Sequence, residues 1–181
     1  AALRAKAFGM RVLAYDPLVS RGTEIAVGVD RCDRLEDLLS QSDVVSLHCP
    51  LTTESHKMIN AERLAMMQPH ALLINTARGA IIDIDALLDA LRNGTIAGAG
   101  IDVLPAEPPA PEDAIALAYA NGKDPIVGER LFLTPHAAWS SPESVADARR
   151  LSVETAMQYL RDGSLRNLVN APAQKRFSGA A

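Results

Sequence analysis

Short, unbroken apolar runs take turns with amphipathic stretches along this chain, and that alternation leaves few folds open to it. "AALRAKAFG" (1–9) reads as a helix stopped at Gly9, and "MRVLAYD" (10–16) as a strand closing on Asp16 and Pro17. "RLEDLLSQS" (34–42) is an amphipathic helix, followed by the strand "DVVSLHCP" (43–50), which Pro50 ends. "NAERLAMMQ" (60–68) has helical spacing behind an Asn60 cap, and "ALLIN" (71–75) is a strand. "DIDALLDALRNG" (83–94) is a helix from an Asp83 cap to Gly94, and "IAGAGIDV" (96–103) is a strand. A proline-rich, charge-mixed segment from Pro105 to about Arg130 interrupts the rhythm. "LFLTP" (131–135) is the last short strand, and the long helix 141–163 starts with Ser141 as cap and Pro142 at its first position.

Strands that are apolar along their whole length, separated by helices, form a parallel sheet with helices on both faces. The expected fold is therefore α/β, a doubly wound parallel sheet of Rossmann type. The chain's 181 residues, 48% of them hydrophobic, suffice for one sizeable core. A net charge of −4 without any Lys/Arg block gives no footprint for nucleic acid. The longest tempting apolar stretch, "AIALAYA", is far too short to span a membrane. Cys32 and Cys49 belong to no C-x-x-C pair and are expected to be reduced thiols of a cytoplasmic protein.

In such sheets ligands bind beyond the carboxyl ends of the strands. The polar residues at those ends are Asp16, His48 with Cys49, Arg78, Asp102 and His136, one position from each strand. A random scatter of polar residues would seldom fall this way. Asp16 is either a turn cap before Pro17 or the acidic residue that, in dinucleotide folds, accepts hydrogen bonds from the adenosine ribose. That residue lies about 20 positions after a glycine-rich turn. "GTIAGAG" (94–100) runs into a strand instead of following one, so it is not that turn. Counted back from Asp16, the glycine fingerprint falls just before residue 1. The chain is thus expected to begin inside the first helix of the fold, without its first strand and glycine loop.

Arg78, in "LLINTARGAIID" (72–83), puts a guanidinium at the mouth of an apolar strand. It cannot lose its proton, so it needs an anion, either a protein carboxylate or a bound one held in two-pronged fashion. Glu107, in "DVLPAEPP", is a solvated loop carboxylate or the partner of a base; His136, in "LTPHAAW", is a satisfied ring or an acid. Together at neighbouring strand ends they make a general acid whose imidazolium a carboxylate holds. Trp139, the only tryptophan, reads by itself as core packing, and His70 as surface. His48, Cys49 and His56 match no common metal spacing, so no metal is expected.

"VLAYDP", "SLHCPLTTESHKMIN", "LLINTARGAIID", "AGIDVLPAEPP" and "LTPHAAWSSPES" together resemble the D-isomer-specific 2-hydroxyacid dehydrogenases, in unbroken order from residue 1 to about Asn170. "PHAAW" and the ending "SLRNLVN" are most similar to the C-terminal binding protein and phosphoglycerate dehydrogenase-like branch. The resemblance implies a cofactor, NAD, and an oxidoreductase that interconverts a small 2-oxo acid and a D-2-hydroxy acid. It implies Arg78 as substrate clamp, His136 as proton donor and Glu107 as its partner, with Trp139 walling the substrate pocket. Asp16 would bind the ribose, and the loop Cys49, Pro50, Leu51, Thr52 to Ser55 would pass over the cofactor's adenine and phosphates. Thr76, Ala77 and Asp102 would lie along its nicotinamide half, and Arg78, His136 and Ala138 would also bind the cofactor. It further implies a partial dinucleotide-binding domain over 1–170, a tail over 171–181, and a substrate domain outside this chain. The full-length protein would be a homodimer, and the isolated chain inactive and a poor binder of NADH. A second role implied by that branch is an NADH-sensing adaptor for transcriptional partners.

Overall fold

The computed structural model describes residues 1–120, 124–166 and 168. They fall into two compact units, Ala1–Ala138 and Trp139–Ala181. The tail over 171–181 lies outside the described residues.

The first unit runs α1 (Ala2–Ala7), β1 (Leu13–Ala14), α2 (Thr23–Val27), β2 (Asp30–Arg31), α3 (Leu35–Gln41) and β3 (Val44–Leu47). It continues with α4 (Ala61–Leu64), β4 (Leu72–Asn75), α5 (Ile84–Arg92), β5 (Gly98–Ile101), α6 (Ala114–Ala120), α7 (Pro125–Arg130) and β6 (Leu131–Leu133). The second unit holds α8 (Pro142–Asp162). Every strand pair is parallel, as the apolar strand runs require.

Four strands form one sheet in the order β3-β4-β5-β6, and β1 with β2 forms a separate ribbon. The break between β1 and β3 falls where the doubly wound order 3-2-1-4-5-6 has its central strand. In the larger sheet side chains alternate between faces. Val45, Leu47, Leu73, Asn75, Ala99 and Ile101 are buried, and all but Asn75 join Leu87, Leu88 and Leu91 of α5, Ile115 of α6 and Val127 of α7 in one core. The opposite face carries Val44, Leu72 and Phe132, which are 45%, 41% and 68% exposed. The helices of this unit thus bury one side of the sheet much more completely than the other.

Sequence signals fixed several termini. The Asn60 side chain accepts the Arg63 amide at 3.0 Å, capping α4. Ser141 and Ser144 satisfy each other's backbone amides at the start of α8, where Pro142 occupies the first turn. Asp83 stands at the N-cap of α5 without a capping bond; its carboxylate pairs with Lys57 at 3.1 Å instead. The segment after Pro105 is less irregular than its composition predicts, since α6 and α7 lie within it. Asp124 caps α7 by accepting the Val127 amide at 3.1 Å, and it also binds Arg92 at 2.6 Å.

Candidate active site

Because all strands of the main sheet are parallel, their carboxyl ends open on one side. Asn75, the last residue of β4, is fully buried. Its side-chain oxygen accepts the Ala77 amide at 3.0 Å, and its side-chain nitrogen donates to the Arg78 carbonyl at 2.9 Å. This clamp bends the chain so that Thr76 and Arg78 are exposed. Arg78 donates to the neighbouring Ala77 carbonyl at 2.6 Å, and among the described residues no carboxylate forms a salt bridge with it.

Gly79 follows for a steric reason. A Cβ there would lie 2.0 Å from the Leu104 carbonyl carbon and 2.3 Å from its oxygen. Only glycine lets the Arg78 loop rest directly on the backbone of the loop after β5. That second loop carries Glu107, whose Oε1 accepts the Leu104 amide at 2.7 Å. Its Oε2 meets His136 Nδ1 at 2.6 Å. The bond from His136, then that from Leu104, hold the Glu107 carboxyl below the usual glutamate range.

His136 has a φ of +51°, the left-handed region that a non-glycine residue seldom occupies. Asp102, buried at the end of β5, holds the turn in place. Its Oδ1 accepts from the Thr134 hydroxyl at 2.5 Å and the Ala137 amide at 2.8 Å, and its Oδ2 from the Ala138 amide at 3.0 Å. Its backbone oxygen accepts the His136 amide at 2.8 Å. Burial pushes the Asp102 carboxyl up, but the bonds from Thr134, Ala138 and Ala137 outweigh it and leave the group below the usual aspartate range. Asp102 therefore straps the histidine turn to β5, and the Ala138 amide is engaged in that strap.

At the other end, Asp16 is exposed after β1, and its Oδ1 accepts the Leu18 amide at 2.9 Å. Cys49, after β3, is partly buried, and desolvation pushes its thiol up. In the loop beyond Cys49, Ser55 is buried and donates to the Pro50 carbonyl at 2.8 Å while accepting the Thr52 amide at 2.7 Å. Ser55 shapes this loop from within, leaving Pro50, Leu51 and Thr52 on its exposed side. His48 pairs with the Ser46 hydroxyl at 2.9 Å, and among the described residues no three His, Cys, Asp or Glu side chains gather as a metal site. Trp139 belongs to the second unit and is exposed, so it does not fill a core.

The structure therefore brings Arg78, Glu107 and His136 into one chain of contacts, with Asp16 and Cys49 each following a strand of its own. Sequence reasoning passed over Asn75 and Thr134. The available signal was a polar amide ending an otherwise apolar strand, and a hydroxyl two residues before the histidine.

Residues 1–138 match the family model described as D-isomer specific 2-hydroxyacid dehydrogenase, NAD binding domain. The chain belongs to this family. It is 41% identical over 174 residues to a glyoxylate reductase of Korarchaeum cryptofilum, covering 96% of this chain and 49% of that protein. It is 46% identical over 144 residues to a glycerate dehydrogenase of Methylorubrum extorquens, covering 80% of this chain and 40% of that protein. Among solved structures, the NAD-complexed D-isomer specific 2-hydroxyacid dehydrogenase of Lactobacillus delbrueckii ssp. bulgaricus superposes with a TM-score of 0.77 at 30% identity, over 93% of this chain and 52% of that one. The chain thus spans half or less of the length of these curated relatives. No helix of the described residues is long and apolar enough to cross a membrane.

The residues present fit the NAD that the family's domain binds. Among the described residues Asp16 has one carboxylate oxygen without a bond, the acceptor a ribose hydroxyl needs. Asp102 accepts three side-chain bonds and has capacity for a fourth, which suits an amide donor.

Proposed function

We propose that this chain is the cofactor-binding part of a two-domain enzyme that reduces a small 2-oxo acid to a D-2-hydroxy acid, and runs the reverse. Bound NADH supplies the hydride for C2 of the substrate. Arg78 grips the substrate carboxylate and offsets the charge that grows on the oxo oxygen. His136 gives that oxygen a proton from Nε2, because its Nδ1 faces Glu107. Glu107 acts through the histidine by orienting the ring and balancing its positive charge. A strand between β1 and β3, a glycine loop and a substrate domain would be supplied by the rest of the protein. The break in the sheet and the length of the relatives support that division.

One observation carries the reading. A carboxylate-bonded imidazole in a left-handed turn rests, through Leu104 and Gly79, against the loop of an arginine that no described carboxylate neutralises. A structural ion pair, the competing account of Arg78, would need a protein carboxylate beside it.

The test is turnover of NADH by the full-length protein with a panel of 2-oxo acids. Arg78→Lys keeps the charge but loses the fork, and is expected to lower kcat/KM by roughly 10²-fold, as removal of an oxyanion donor does. Failure of every 2-oxo acid in the panel, or an Arg78→Lys variant that works as well as the wild type, would sink the assignment.

A further inference from the structure

We propose that Arg31 is a positioning residue for the cofactor, one that holds the loop bearing Asp16 and so sets affinity for NADH; this rests on Asp16 being the ribose acceptor. The loop from Asp16 to Gly22 has no buried side chain, and Leu18 is exposed throughout. Apolar packing therefore does not place it, and its position comes from polar bonds.

Arg31 ends β2, directly opposite Ala14 at the end of β1. From there its guanidinium reaches into the loop that leaves β1. Nη2 donates to the Asp16 carbonyl at 3.3 Å, and Nη1 donates to the Val19 carbonyl at 3.0 Å. Nε points at Asp33 Oδ1 at 3.4 Å, and Nη1 stands 3.9 Å from Glu24 Oε2. Glu24 in turn accepts the Gly22 amide with both carboxylate oxygens at 2.9 Å. One side chain, only 20% exposed, thus ties the start and the middle of the loop to β2 and faces the carboxylate that holds its end.

A planar fork with five N–H donors can do this, whereas a single lysine ammonium cannot reach two carbonyls and a carboxylate from three separate nitrogens. Three of its donors are committed to the protein, and its charge faces Glu24 and Asp33, the latter shared with Arg21 at 2.8 Å. It acts through Asp16, whose Oδ1 is already fixed by the Leu18 amide. With Arg31 in place, the free oxygen of Asp16 stays aimed before the cofactor arrives, and binding does not have to order the loop.

The experiment uses Arg31→Gln and Arg31→Lys in the full-length protein. It reads the Kd for NADH by fluorescence titration, kcat and KM, and hydrogen exchange at the Leu18 amide. We expect Arg31→Gln to raise Kd and KM for NADH about tenfold, the scale of losing charge-assisted bonds, with kcat nearly unchanged and faster exchange at Leu18. Arg31→Lys should recover only part of this. Unchanged Kd and unchanged exchange in Arg31→Gln would overturn the proposal, as would full recovery by lysine. So would a fall in kcat at constant KM. Should Arg31→Gln fail to fold, Arg31→Lys alone decides, because wild-type Kd and exchange in it also overturn the proposal. Wild-type protein that binds no NADH defeats the cofactor reading itself, and with it the proposal. That case is told apart by the exchange at Leu18, which still reports whether Arg31 holds the loop.

Discussion

Glu107 carries the clearest electrostatic consequence at the level of single residues. Its carboxyl is held below the ordinary range by the bond from His136 and then by the Leu104 amide. A carboxylate lowered on folding adds stability that is fully present above its unfolded value and drains away as pH falls through its folded one. Glu107→Gln should therefore cost stability at neutral pH, and the gap to wild type should close as pH drops below about 4. Urea unfolding midpoints of both proteins across that range measure this, and a constant gap would remove the ionised pair from the account. The pair is exposed by more than a third on both sides, so solvent screening keeps its contribution to stability small.

Between elements, the contact that matters is loop on loop. The Arg78 loop and the Glu107 loop meet at Gly79 with no side chain between them. Gly79→Ala must part them, at about 1–3 kcal/mol or more by analogy with overpacked cores. It should also lower kcat/KM, because the proposed clamp, Arg78, and the proposed proton donor, His136, would shift together. Denaturant unfolding and steady-state kinetics on the same variant check both; a stable variant with wild-type kinetics would show the loops to be independent. This scale also explains what the sequence could and could not disclose. Longer strands and helices announced themselves through apolar runs and caps, as with Leu72–Asn75 behind Ala71 or α8 behind Ser141. Helix α2 and strand β2, with five and two residues, are too short to show a period. Helix α7 was hidden because its capping residues, Asp124 and Pro125, are also the residues that mark loops. In the site, strand-end polarity pointed to Arg78 and His136, while the Asn75 clamp and the Asp102 strap depend on pairings across loops that no local pattern encodes. Arg31 shows the same limit, as its partners Asp16 and Val19 lie 15 and 12 residues away.

For the whole molecule, the described residues include no glycine-rich turn leading from a strand into a helix, the usual seat of a pyrophosphate. The isolated chain should therefore bind NADH at about millimolar Kd or weaker, and calorimetric titration checks this. Tight one-to-one binding would mean that other backbone amides hold the phosphates. The separation of the β1–β2 ribbon from the main sheet carries a further thermodynamic consequence. In the isolated chain, two residues per strand with no ladder bond to β3 are expected to open without the rest of the domain unfolding, whereas the strand proposed to lie between β1 and β3 would tie the ribbon down. Asp16, the proposed adenosine-side acceptor, follows β1 of the ribbon, and His136, the proposed proton donor, follows β6 of the main sheet. For the isolated chain, affinity for the dinucleotide is then expected to be the intrinsic affinity scaled by the fraction of molecules in which the ribbon is closed. Changes that merely shut the ribbon should tighten binding without touching the ligand, so a remote stabilising substitution in β2 would act as an affinity mutation.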